Sequence, residues 1–194
     1  MKIVLATRNE GKIVELRRLL TDYDVVGLEE FPDAPDVPET ELTFAGNALL
    51  KAHAIARHTG LPAVSDDSGL CVDALNGMPG VLSARWSGRF GAGEKDLRNL
   101  QLVLDQLGDV QDGARGGHFM CAAAIAYPDG RSQVVEGRME GVILREPRGT
   151  GGFGYDPIFL VEELGKTTAE LTPDEKSAVS HRGRAFRALA ELLR

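Results

Sequence analysis

The sequence predicts a mixed α/β fold in a single domain. Three observations carry that reading: an opening order of strand, helix and strand, two long β segments joined at Pro128-Asp129-Gly130, and helical periodicities between and after them. The Pro-Asp-Gly connection reads as an antiparallel hairpin, which suits a mixed sheet flanked by helices better than an all-parallel doubly wound sheet. The 194 residues, 43% hydrophobic and 26% charged, have the length and usage of one globular domain with a sizeable core.

Residues 2–6 form a short buried strand, and Ile13, Leu16, Leu19 and Leu20 then recur at helical spacing from Gly11. A second strand over 24–28 leads into a stretch where Pro32, Pro35 and Pro38 preclude a regular helix. Thr43 precedes a long helix with Ala45, Leu49, Ala52 and Ala56 on one face, stopped by Gly60 and Pro62. Strand 63–65 is expected to turn sharply through Asp66, Asp67, Ser68 and Gly69 before 70–75. A Gly- and Ser-rich loop over 76–93 leads to a helix over 94–107, with Leu97, Leu100, Val103, Leu104 and Leu107 facing inward. The long β segments are 118–127 and 132–144. A glycine-rich loop over 149–154 precedes a strand at 157–161, and 172–193 reads as one helix, opened by Thr172, Pro173 and Glu175.

The net charge is −7 and the basic residues are dispersed, which excludes a basic face for polymeric nucleic acid. An anionic ligand must therefore be held by a local site. Cys71 and Cys121 stand 50 positions apart in apolar stretches, without a metal or disulfide spacing, which fits a reducing, cytoplasmic setting. The N-terminal apolar run over 3–6 is too short for a signal-peptide core, and no run approaches a membrane span. His53 and His58 fall at i, i+5, off the i, i+4 spacing of a zinc pair, and read as surface residues.

Four constellations bear chemistry. Thr7-Arg8-Asn9-Glu10-Gly11-Lys12 joins a buried strand to a helix N-terminus, where unpaired N–H groups and the donors of Thr7, Asn9 and Lys12 suit a polyphosphate; a plain helix cap would use the same residue types. Ser65-Asp66-Asp67-Ser68-Gly69 offers adjacent carboxylates that can bind a hard cation, accept a proton from water, or both, although an ordinary turn is built from the same residues. Gly149 to Pro157 combines glycines that permit close backbone approach with Phe153 and Tyr155, either of which offers a ring to a base. Lys176 with Ser180-His181-Arg182 would by itself be a solvated helix face.

Together, Thr7-x-Asn9-x-x-Lys12, Ser65 to Leu70, Gly149 to Pro157, and Glu175-Lys176-Ser177 with Ser180-His181-Arg182 closely resemble the inosine triphosphate pyrophosphatase family, from Lys2 to the last helix. The resemblance implies an elongated mixed sheet flanked by helices, with two lobes around a deep nucleotide-binding cleft, and a homodimer. It also implies Mg²⁺-dependent hydrolysis of the non-canonical purine nucleotides XTP, ITP and dITP to monophosphate and pyrophosphate. By position, Thr7, Arg8, Asn9, Glu10, Gly11 and Lys12 would bind the triphosphate, Glu39 and Asp67 would hold the metal, and Asp67 would activate water. Lys51 would reach the phosphates and Ser68 would touch substrate. Phe153, Gly154, Tyr155, Asp156, Lys176, His181 and Arg182 would hold the nucleoside, with Phe153 stacking on the base.

Two positions depart from the family pattern. Gly46 stands where Glu is common, which places more weight on Glu39 and Asp67, and Trp86 replaces the commoner Tyr. Two other functions are compatible with part of the pattern: a Maf-type nucleotide pyrophosphatase of different specificity, and a sensor that binds a triphosphate without cleaving it. The Ser-His-Arg run opposes the first and the Asp66-Asp67 pair opposes the second.

Overall fold

The computed structural model describes residues 1–88 and 94–193, apart from the side chains of Glu10, Gly11, Glu15 and Leu19. The sequence expectations for Glu10, Gly11, Leu19 and the end of the 76–93 loop therefore lie outside the described residues. A seven-stranded mixed sheet has the order β2-β1-β3-β4-β5-β6-β7. Strand β1 (Lys2–Leu5) pairs in parallel with β2 (Asp24–Val26) and with β3 (Ala63–Val72), with Val4 opposite Val26 and Ala63. Strands β4 (Gly116–Ala126) and β5 (Ser132–Ile143) follow. The short β6 (Phe159–Val161) is antiparallel to β5 and to β7 (Lys166–Thr167). The mixed sheet is as expected.

The chain divides into two compact units, Met1–Asp67 with Cys121–Gly137 and His181–Arg194, and Ser68–Met120 with Arg138–Ser180. In the first unit the period-2 alternation of the strands feeds two cores. Val4, Ala122, Ala124 and Ala126 pack with Ala48, Ala52, Ile55 and Ala56 of helix α2 (Phe44–Thr59). Ile3, Leu5, Val64, Cys121, Ala123 and Ile125 pack with Leu16 and Leu20 beside helix α1 (Glu10–Leu19), and with Phe186 and Leu189 of a C-terminal helix. The alanines let α2 lie close against the strands. Fully burying Phe186 contributes roughly 2 to 3 kcal/mol.

The second unit has its own core of Leu70, Val72, Phe119, Met139, Ile158 and Phe159 with Leu100, Val103 and Leu107 from helix α3 (Lys95–Gln106) or its end. The Phe119 and Phe159 rings meet at 4.4 Å, tilted by 44°. Buried Arg115 donates to the carbonyls of Leu107, Ile143 and Leu144 at 2.6 to 2.9 Å, so its desolvated guanidinium ties a helix end to a strand end. Trp86 Nε1 donates to Gln106 at 2.9 Å, a bond that Tyr would not make in the same way.

Three expectations are corrected. Residues 66–69 do not turn but continue the ten-residue β3, with Lys12 and Arg182 meeting Asp66 and Asn47 bonded to Asp67. Leu97 is 67% exposed rather than inward, because the buried stripe of α3 runs through Asn99, Leu100 and Val103. The C-terminal segment is two helices, α4 (Pro173–Val179) and α5 (His181–Leu192), separated by Ser180 at φ −65°, ψ 151°. That break buries Ser180, His181 and Arg182, which one continuous helix had placed on a solvated face.

Candidate active site

In the first unit, the turn after β1 is organised by its own side chains. Thr7 Oγ1 accepts from the Asn9 amide at 3.2 Å, and Asn9 Oδ1 accepts from the Lys12 amide at 3.1 Å, capping α1. The guanidinium of Arg8 donates instead to Asp36 at 3.1 Å and to the Ala34 carbonyl at 3.0 Å, bracing the proline-containing loop.

Strand geometry sends Asp66 and Asp67 to opposite faces of β3. Asp66 lies on the side of α1 and α5. Its Oδ2 accepts from Lys12 Nζ at 2.8 Å, stands 3.5 Å from Arg182 Nε, and lies 4.0 Å from the Cys121 thiol. Burial would raise the pKa of this carboxyl, but Lys12, Arg182 and Lys51 outweigh burial and hold it well below the ordinary value. Asp67 lies on the α2 side, where its Oδ2 accepts from Asn47 Nδ2 at 2.9 Å. Burial, and then repulsion from Glu39, raise its pKa.

Asn47 and Lys51 are one turn apart on α2 and so share a face. Lys51 Nζ donates to Glu39 Oε1 at 2.5 Å and to the Asp66 carbonyl at 2.8 Å. Burial works against its charge, while Asp66, Glu39 and Asp67 favour the charge and raise its pKa. Asn47 Oδ1 also accepts from the Glu41 amide at 2.9 Å, tying the acidic loop to the helix. A Cβ at Gly46 would sit 2.8 Å from the Glu41 Cβ, so glycine lets that loop pack against the start of α2. Among the described residues, no group of three or more His, Cys, Asp or Glu side chains is gathered to hold a metal. Glu39 and Asp67, close enough for their charges to interact, are the kind of carboxylates that could hold Mg²⁺ if phosphate oxygens and water completed its shell.

In the second unit, Asp156 organises the glycine-rich loop. Its Oδ2 accepts from the Phe153 amide at 2.9 Å and Lys176 Nζ at 2.5 Å, and its Oδ1 accepts from Thr168 Oγ1 at 2.8 Å. Gly152 has φ 71°, and a Cβ there would lie 1.9 Å from Asp156 Oδ2, so glycine is required by both backbone and space. Phe153 is 43% exposed, with Lys176 Nζ 5.5 Å from its ring centroid. Gly154 has φ 62°, and its amide donates to Asp96 at 3.1 Å. Tyr155 is instead buried and donates to the Ser83 carbonyl at 2.7 Å, so this ring belongs to the core. Ser68, half-buried on β3, is the first residue of this unit.

Thus Lys12, Lys51, Glu39 and Asp67 are brought together with Asp66 and Arg182, whereas Phe153, Asp156 and Lys176 form a second cluster. His181 and Arg182 belong to the unit of the first cluster. The sequence reading had no role for Asn47, whose signal was its place one helical turn before Lys51 on α2, or for Thr168, which carried no signal.

The Ham1 family model matches residues 3–192. A dITP/XTP pyrophosphatase of Streptomyces coelicolor is 58% identical, covering 100% of this chain and 97% of that protein. The structure of a HAM1 protein from Coxiella burnetii has a TM-score of 0.90 at 43% identity, covering 100% of this chain and 98% of that one. A crystal structure described as a nucleoside-triphosphatase / dITP/XTP pyrophosphatase, from Mycobacterium abscessus, has a TM-score of 0.80 at 54% identity, covering 97% and 98%.

Proposed function

The chain belongs to the Ham1 family, and from that premise we propose that it is a hydrolase converting the non-canonical purine nucleotides dITP, XTP and ITP to monophosphate and pyrophosphate. The observation that carries this reading is the cluster of Lys12, Lys51, Glu39 and Asp67 beside a capped helix N-terminus, which pairs cations for a polyphosphate with a buried carboxylate for water. The names of the similar proteins point to the same substrates.

In this mechanism the Thr7 to Lys12 turn and Lys51 hold the triphosphate. Asp67, steadied by Asn47, orients the attacking water and accepts its proton as oxygen adds to the α-phosphorus. The bond to the β-phosphate breaks, and Lys12 stabilises the charge gathering on departing pyrophosphate. Mg²⁺, held by Glu39 and Asp67, would neutralise phosphate charge. Phe153 stacks on the base, Asp156 fixes Phe153 and Lys176, and His181 donates to the 6-oxygen that adenine replaces with an amino group. Donor facing donor leaves buried groups unpaired, so ATP is a poor substrate.

We further propose a homodimer acting in the cytoplasm. The compartment is supported by Cys71 and Cys121, both buried as thiols rather than joined in a disulfide; no described helix is long and apolar enough to cross a membrane. Phosphorus NMR of the first products from dITP, XTP and ITP tests the reaction. Pyrophosphate with a monophosphate is expected; orthophosphate with a diphosphate, or no turnover, overturns it.

A further inference from the structure

Asp66 is 2% exposed and meets two cations at the same oxygen: Lys12 Nζ at 2.8 Å and Arg182 Nε at 3.5 Å. A buried carboxylate needs a countercharge, because desolvation of an unpaired ion is costly. A lysine that must supply that countercharge is less available to a phosphate. Lys12 stands at the start of α1 with its side chain 15% exposed, at the edge of the phosphate turn, whereas the Arg182 side chain is 4% exposed.

The position of Arg182 is built in. Ser180 breaks the helix so that Arg182 falls in the first turn of α5. That turn lies directly on β5 at Gly137, where a Cβ would come within 2.1 Å of the His181 carbonyl oxygen and 2.5 Å of the Ala185 nitrogen.

We propose that Arg182 is a positioning residue for phosphate binding: by serving as the resident counter-ion of Asp66, it leaves the charge of Lys12 to the substrate. The inference rests on the reading of the Thr7 to Lys12 turn as the phosphate site. It differs from the role implied by resemblance, in which Arg182 holds the nucleoside. A base-reading arginine affects only ligands that have a base, whereas a counter-ion of Asp66 affects a bare polyphosphate through Lys12.

The probe is inorganic tripolyphosphate, titrated calorimetrically in EDTA into the wild-type protein and into Lys12→Met, Arg182→Met, Lys12→Met/Arg182→Met and Asp66→Asn/Arg182→Met, each checked by circular dichroism. Arg182→Met is expected to weaken binding about tenfold. In the Lys12→Met background the same change should add nothing, and Asp66→Asn should restore the affinity lost in Arg182→Met, since no carboxylate is left to hold Lys12. A general structural role would give neither the non-additivity nor the restoration.

Binding by Arg182→Met equal to wild type, or additive losses in the double variant, overturns the proposal while leaving the phosphate site intact. A wild-type protein that takes up no tripolyphosphate, or a Lys12→Met variant that binds as tightly as wild type, overturns the phosphate reading beneath it. Should Arg182→Met not fold, Arg182→Lys decides. A retained cation should keep tripolyphosphate affinity within about threefold of wild type, and a larger loss overturns the counter-ion role.

Discussion

Asp66 and Asp67 are adjacent in sequence yet face opposite sides of β3, one paired with Lys12 at 2.8 Å and the other bonded to Asn47 at 2.9 Å. Neighbouring positions in a strand alternate in direction, so the pair is two carboxylates in two environments rather than one shared site. Burial and Glu39 push Asp67 up, while cations hold Asp66 down against the effect of its burial. That contrast supports the proposed water-activating role for Asp67, with Asp66 as a structural charge.

Asp67→Asn keeps the volume and removes the proton acceptor, so kcat/KM for dITP should fall at least about a hundredfold while the circular dichroism spectrum is preserved. Asn47→Ala should fall less, about tenfold, because the base survives without its donor. Steady-state assays check both; a variant of Asp67 that retains more than a tenth of wild-type kcat/KM removes it as the base.

Glu39→Gln removes a carboxylate from the proposed metal pair and a partner of Lys51. The Mg²⁺ dependence of initial rates should shift to higher concentration by about tenfold, with the rate at saturating Mg²⁺ affected less. An unchanged titration excludes Glu39 from the metal site.

Asp156→Asn should act on the nucleoside end alone. The amide keeps the size but loses the charge that holds Lys176 and the acceptor geometry at the Phe153 amide. KM for ITP should rise about tenfold with a smaller change in kcat, and tripolyphosphate affinity should not move. Weakened tripolyphosphate binding would place Asp156 in the phosphate machinery.

Acid should expose the charge on Asp66. Its carboxyl is held below the ordinary aspartate value of 3.8, so the folded protein binds fewer protons there than the unfolded chain. The stabilisation is present above that value and is lost as pH falls below it. Asp66→Asn should melt at lower temperature near neutral pH, because Lys12 and Arg182 lose their buried anion, yet lose less further stability than wild type between pH 5 and 3 (roughly the window set by an aspartate that titrates normally when unfolded). Parallel melting curves for the two proteins across that range would contradict the assignment.

The sequence by itself determined the mixed α/β class, the strand-helix-strand opening, the caps at Thr43 and Thr172, and the residue set of each motif. These are local properties: periodicity, a capping oxygen three residues from its amide, and a glycine where φ must be positive. The motifs, read together, also led to the family that the comparisons bear out. Only the tertiary structure decided how those residues are used. It extended β3 through 66–69, where Lys12, Lys51 and Arg182 arrive from three distant segments to stabilise Asp66 in a sequence that locally favours a turn. It broke the last helix at Ser180 and buried His181 and Arg182, a consequence of the contact between Gly137 and the first turn of α5. It placed the Tyr155 ring in the core and left that of Phe153 exposed, a distinction that two aromatics within one loop do not encode. Each of these outcomes depends on partners far away in sequence, whose arrival replaces water around a charge or a backbone group, and no local pattern records which partner will arrive.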